Sequence, residues 1–244
     1  MKIGILFYGD QYLRNRDWSR TKDHIKRKII DCWPDHEVKT YMCISPQNIP
    51  DDLINFYNPT KCIRPIGSIA GKILNGLEGL KTEDLDFIFV TRLDIIFFKK
   101  LSDLNFNFIK YNFLFKEFDH WDRPKVEWWC KYYTTDVIFA FPSRYIQQTI
   151  DSVNENLTIP PKPFAHLHAL YSFIEPKIGK DNIHILSEEH MFSSSGYNKY
   201  YLLDRYDTTK GDLGPTTIED FQDIRNKHLL DKIGQPFYQG DVFN

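Results

Sequence analysis

Arg92 and Asp94 stand inside "DFIFVTRLDIIFF", residues 86–98, a run that is otherwise nearly all apolar. A charge in such an interior costs several kcal/mol unless it is paired or acts on a ligand. Phe87 to Val90 is continuously apolar, as in a central strand covered on both faces. If the strand continues through Arg92 and Asp94, both lie on one face, at the end of the strand where α/β sheets usually bind ligands. A carboxylate there can hold a divalent cation against two phosphates of a nucleotide. A guanidinium on the same face can offset the charge of a leaving diphosphate directly. The competing structural reading is an ion pair, Arg92–Asp94 or Asp86–Arg92.

Asp136 is the second candidate. It opens "TTDVIFAF" as its only acidic residue. A base that takes a proton from an acceptor hydroxyl must lie within hydrogen-bond reach of it. Glu127 and Asp119 are rivals nearby, and a turn cap at Thr134–Thr135 is the structural alternative. Just upstream, "HWDRPKVEWWCKYY", 120–133, sets Trp128, Trp129 and Tyr132 beside charged residues. Aromatic rings with polar neighbours suit the C–H faces and hydroxyls of a sugar; they suit core or a protein interface equally.

Two further stretches could approach an anionic ligand. In "YGDQYLRNRD", Gly9 ends a strand and is followed by Arg14 and Arg16, whose planar head groups can clamp phosphates. The loop matches neither a dinucleotide fingerprint nor a P-loop. In "SIAGKILNGLEGL", 68–80, Gly71, Gly76 and Gly79 weaken a helix and imply close approach, and Lys72 can reach a phosphate near the sheet end. Tight helix–sheet packing with an exposed Lys72 explains the same residues. His166 and His168, two apart in a helix, face different sides and make a poor metal pair.

These side chains need a scaffold. The pattern predicts strands at 2–9, 36–44, 60–66 and through "LDFIFVTRLD", with helices at 19–33 and 68–80. That order is the signature of a mainly parallel sheet with crossover helices. Beyond it, strands are expected at 106–118, 136–142 and in "NIHIL", and helices at 143–157 and 164–179. The region from Tyr200 has little periodicity.

Composition narrows the class. The 244 residues carry a net charge of −2, so no global basic field points to nucleic acid. Cys32, Cys43, Cys62 and Cys130 show no C-x-x-C spacing and read as reduced thiols. The N-terminal apolar segment is too short for a signal peptide and no run suits a membrane span. A soluble, cytoplasmic protein is expected.

The segments "ILFYGDQYLR", the small-residue helix, "FIFVTRLDIIF" and "TDVIFAFPSRYI" resemble GT-A-type glycosyltransferases. More narrowly they resemble the group with R-x-D in place of D-x-D, known from bacterial surface-polysaccharide clusters and large algal DNA viruses. The resemblance covers residues 1–195. It implies a GT-A-like, Rossmann-related α/β fold: a mixed, mainly parallel central sheet flanked by helices in a single domain, 1–200. The donor half would be 1–100 and the acceptor half 101–200, with 201–244 as a tail. By the resemblance Arg92 and Asp94 fall on the D-x-D position, Gly9 and Arg14 on the nucleotide loop, and Asp136 on the catalytic base or acceptor-binding acid. His190 falls where some members supply a metal-binding histidine, alongside Asp94.

The expected activity is transfer of a sugar from a UDP- or GDP-sugar to a carbohydrate hydroxyl. Donor contacts are expected from Tyr8, Gly9, Arg14, Lys72, Arg92 and Asp94, acceptor contacts from Trp128, Trp129 and Tyr132, and catalysis from Asp136. With arginine in place of the first carboxylate, Mn²⁺ or Mg²⁺ is expected to stimulate without being essential. The alternative is a non-catalytic carbohydrate-binding or assembly protein on the same fold. A sugar-nucleotide pyrophosphorylase would need a glycine-rich, Arg-containing loop after the first strand with a following Pro and Lys, which "YGDQYLRNRD" lacks.

Overall fold

The computed structural model describes residues 1–9, 19–45, 51–117, 133–158, 167–191 and 200–203. Strand β1 (Lys2–Gly9) is buried along its length and pairs in parallel with both β2 (Glu37–Ile44) and β4 (Phe87–Arg92). β2 also pairs in parallel with the short β3 (Lys61–Ile63). The crossovers are α1 (Ser19–Ile25), α2 (Asp51–Tyr57) and α3 (Ile69–Leu80). α1 continues as a π turn at Lys26–Ile30, closed by Asp31 N–H donating to Lys26 O over 2.8 Å. α3 begins where Ser68 Oγ accepts from Gly71 N–H, the side-chain cap that stops its first turn from fraying.

The second half extends the same sheet. β6 (Tyr111–Glu117), β7 (Ile138–Pro142) and β8 (Ile183–Met191) complete the order β3-β2-β1-β4-β7-β6-β8. β7 runs antiparallel to β4 and to β6, while β8 is parallel to β6. β7 is thus the one reversed strand of this seven-stranded sheet. Two further helices, α4 (Ile146–Thr158) and α5 (Leu170–Ile178), follow β7. β5 (Ile95–Phe97) and β9 (Tyr201–Leu203) form a separate antiparallel pair, so residues at the start of the expected tail join the fold.

Two cores cover the two faces of the sheet. One gathers Phe7, Ile25, Ile29, Leu53, Tyr57, Phe87 and Phe89, which packs α1 and α2 against the sheet. The other gathers Leu6, Ile73, Leu77, Val90, Phe139, Ile150, Val153 and Ile174, which packs α3, α4 and α5 on the opposite face. The result is the expected α/β domain, a mixed and mostly parallel sheet between helical layers.

Local boundaries differ from expectation where side chains cut strands short. The strand expected from 106 starts at Tyr111, because Asn112 Nδ2 donates to the carbonyls of Asn107 and Lys110 and locks a turn before it. The strand expected through Asp94 ends at Arg92.

Candidate active site

Along β4 the side chains alternate between the two cores, Phe87 and Phe89 to one, Ile88 and Val90 to the other. Arg92 follows in the second series and stands beside Tyr8 in the β1–β4 register. The chain bends after Arg92, and the Asp94 carboxylate turns back onto the guanidinium. Arg92 Nε donates to Asp94 Oδ1 at 2.6 Å and Nη2 to Oδ2 at 2.5 Å, a two-pronged, charge-assisted pair. Each residue is only 4% exposed. The two charges therefore do not lie in line along a continuing strand; they close on each other.

Asp136 reaches this place through the reversal of β7. Because β7 is antiparallel to β4, its first residues lie beside the last residues of β4: Thr91 pairs with Ile138, and Thr91 Oγ1 donates to Val137 O at 3.2 Å. Tyr8 Oη donates to the carbonyl of Asp136 at 2.5 Å. Thr135 is held in turn, its Oγ1 accepting from Val137 N–H at 3.3 Å and lying 3.0 Å from Tyr201 Oη. The Asp136 backbone is thus fixed from both sides. Its side chain is 14% exposed, while the neighbouring His168 side chain, with Nε2 3.5 Å from Asp136 Oδ2, is 26% exposed. An acid group and an imidazole, both partly exposed and near a buried Arg–Asp pair, can exchange protons with a bound hydroxyl.

The electrostatics centre on Arg92. Burial opposes its charge, but the Asp94 carboxylate, then Asp136 and Tyr8, outweigh that and hold its pKa well above the ordinary value. The guanidinium is a permanent positive charge near enough to Asp136 for the two to act on each other.

Gly9, at the end of β1, has φ +151°, a backbone setting that side-chain-bearing residues rarely adopt. Lys72 is not exposed as the packing alternative supposes. It is buried on α3, and its Nζ donates to Gly67 O at 2.6 Å. Gly76 serves close packing: a Cβ there would stand 2.7 Å from Leu6 Cδ2 and 3.3 Å from Cys43 Cβ.

Arg14, Trp128, Trp129 and Tyr132 lie outside the described residues, as do Asp119, Glu127 and His166. His190 lies on β8, opposite Lys116 of β6, and its side chain is outside the description. Both oxygens of Asp94, the other expected metal ligand, already accept from Arg92. Among the described residues no group of three or more His, Cys, Asp or Glu side chains could hold a metal ion.

Tyr8, Arg92, Asp94 and Asp136 come together in the fold. His168 joins them although the sequence reading treats it as half of a poor metal pair. Its position depends on a contact 34 residues away: Thr134 N–H donates to His168 O at 2.8 Å. Nothing local to "AHLHAL" encodes that.

Among the described residues no helix is long and apolar enough to cross a membrane. No protein-family model and no curated protein matches the chain. Among the solved structures similar to it is a protein of Desulfovibrio desulfuricans G20 named as a "putative nucleotide-diphospho-sugar transferase". The two share 11% identity over 94% of this chain and 97% of that one, with a TM-score of 0.49.

Proposed function

We propose that the chain is a glycosyltransferase that moves a sugar from a UDP- or GDP-sugar to a hydroxyl of a carbohydrate acceptor. The observation that carries this reading is the placing of Asp136, fixed by Tyr8 and set over the Arg92–Asp94 pair at the carboxyl end of β1 and β4. Asp136 takes the proton of the acceptor hydroxyl. The freed oxygen bonds to the anomeric carbon, and the bond from that carbon to the diphosphate breaks with its electron pair on the diphosphate. The buried charge of Arg92 favours that developing negative charge. Gly9 and Arg14 supply the remaining donor contacts, and Trp128, Trp129 and Tyr132 the acceptor platform.

A panel of nucleotide sugars in a thermal-shift assay, followed by transfer to oligosaccharide acceptors, tests the reading. A donor at a hundred times its dissociation constant stabilises by about 2.7 kcal/mol. Asp136→Asn should keep that shift while losing about 10²- to 10⁴-fold in transfer. The reading fails if no nucleotide sugar raises the melting temperature. Because Arg92 carries a permanent positive charge where a D-x-D enzyme has a carboxylate, transfer should persist at a reduced rate after exhaustive chelation, with Mn²⁺ or Mg²⁺ stimulating it. Complete loss in EDTA, restored only by Mn²⁺, would count against that part.

The mutual pairing of Arg92 and Asp94 favours a second reading, a non-catalytic carbohydrate-binding protein in which the pair is purely structural. It predicts stabilisation by glycans and none by nucleotide sugars.

A further inference from the structure

We infer that His168 is the positioning residue for Asp136, orienting its carboxylate toward the acceptor hydroxyl. This inference rests on the transferase reading. Three observations carry it. The Asp136 backbone is held by Tyr8, which leaves the side-chain rotation to be set by what flanks the carboxylate. His168 Nε2 lies 3.5 Å from Oδ2, a charge-pair distance that a small rotation closes to a hydrogen bond. The turn bearing His168 is docked through its backbone, with Thr134 N–H and Oγ1 both directed at the His168 carbonyl.

Around the pair, the charged and titratable groups on the described elements include Arg92 and Asp94 at the end of β4, Tyr8 on β1, Lys116 of β6 bridged to Thr134, Tyr201 on β9 behind Thr135, and Tyr133 against Ala169. Arg92 is occupied by Asp94 in two prongs. His168 is the group that addresses the Asp136 carboxylate from the more open side. The tether to Thr134 is a backbone carbonyl and does not involve the imidazole.

The test compares His168→Ala and His168→Gln with the full-length wild type. His168→Ala should lose about tenfold or more in kcat with the KM for nucleotide sugar unchanged. His168→Gln, whose amide can still donate to the carboxylate, should recover most of that loss. A readout independent of turnover is the ring titration of His168 by NMR, which should move to lower pH in Asp136→Asn, where the partner carboxylate is gone. A His168 titration unchanged in Asp136→Asn overturns the inference, as does full kcat in His168→Ala. If the wild type turns over no nucleotide sugar, the transferase reading fails and the NMR titration alone decides the pairing.

Discussion

Tyr8 and Arg92 face each other across the β1–β4 register, and both reach toward Asp136, Tyr8 by a hydrogen bond to its carbonyl and Arg92 by charge. Two strands and the bend that leads into a third thus contribute one residue each to a single point. Tyr8→Phe keeps the ring and removes only the donor, so the Asp136 carbonyl loses a partner. The expected cost is about 1 kcal/mol in denaturant unfolding. Transfer should fall further than stability alone explains, since the base loses its anchor.

Breaking the Arg92–Asp94 pair from one side should be far more damaging than removing it whole. Asp94→Ala strands a guanidinium in the interior, at a cost of about 3–5 kcal/mol, a large part of a typical domain's stability. The double variant Arg92→Met with Asp94→Leu should recover most of that loss in urea unfolding. Equal destabilisation of the single and double variants would show that the pair is not what the interior responds to.

His24 gives the fold an acid-sensitive point away from the site. Burial, aided by Lys28 and Arg27, lowers its pKa to about 4 against the hydrogen bond between Nε2 and Phe97 O at 2.8 Å. The folded protein therefore holds His24 neutral, while the unfolded chain takes up its proton near pH 6.5. The associated stability is fully present above pH 6.5 and is lost as pH falls from there to about 4, by about 3 kcal/mol in all. His24→Leu should show a shallower fall in melting temperature between pH 6.5 and 4.5 than wild type.

The glycines of α3 should separate by what lies opposite them. Gly76→Ala drives a methyl into Leu6 and Cys43 and should destabilise by about 1–3 kcal/mol. Gly71→Ala meets only Ser68 Oγ at 3.4 Å and should gain up to about 1 kcal/mol from helix propensity. Chemical denaturation of the two variants side by side checks the sign of each.

The elements that the sequence discloses best are those with a local cause. β1 and the first four residues of β4 are apolar runs bounded by polar residues, and α3 announces its start with Ser68. α2 escapes the periodicity reading because seven residues, Asp51–Tyr57, are too few to establish a period. β5 and β9 are three residues each and exist only through pairing with each other across more than a hundred residues. The site divides the same way. Arg92 and Asp94 stand out as charges in an apolar run, yet their closure onto each other depends on a bend that no spacing rule supplies. Asp136 is visible as a lone acid at a strand mouth; that it meets Tyr8 follows from the direction of β7, which strand pattern does not encode. His168 is recruited wholly by tertiary contact.

The reversed β7 has a consequence for the order of assembly. During synthesis the strands β1 to β4 emerge first and can pair in parallel, but until residues 138–142 arrive β4 is an unprotected edge of the sheet. That edge carries Phe87, Ile88, Phe89 and Val90 in sequence, the kind of flat apolar rim that recruits strands from other chains. A fragment ending before β7 is therefore expected to self-associate, and the strand that delivers Asp136 to the site is also the one that seals the nascent sheet against its neighbours.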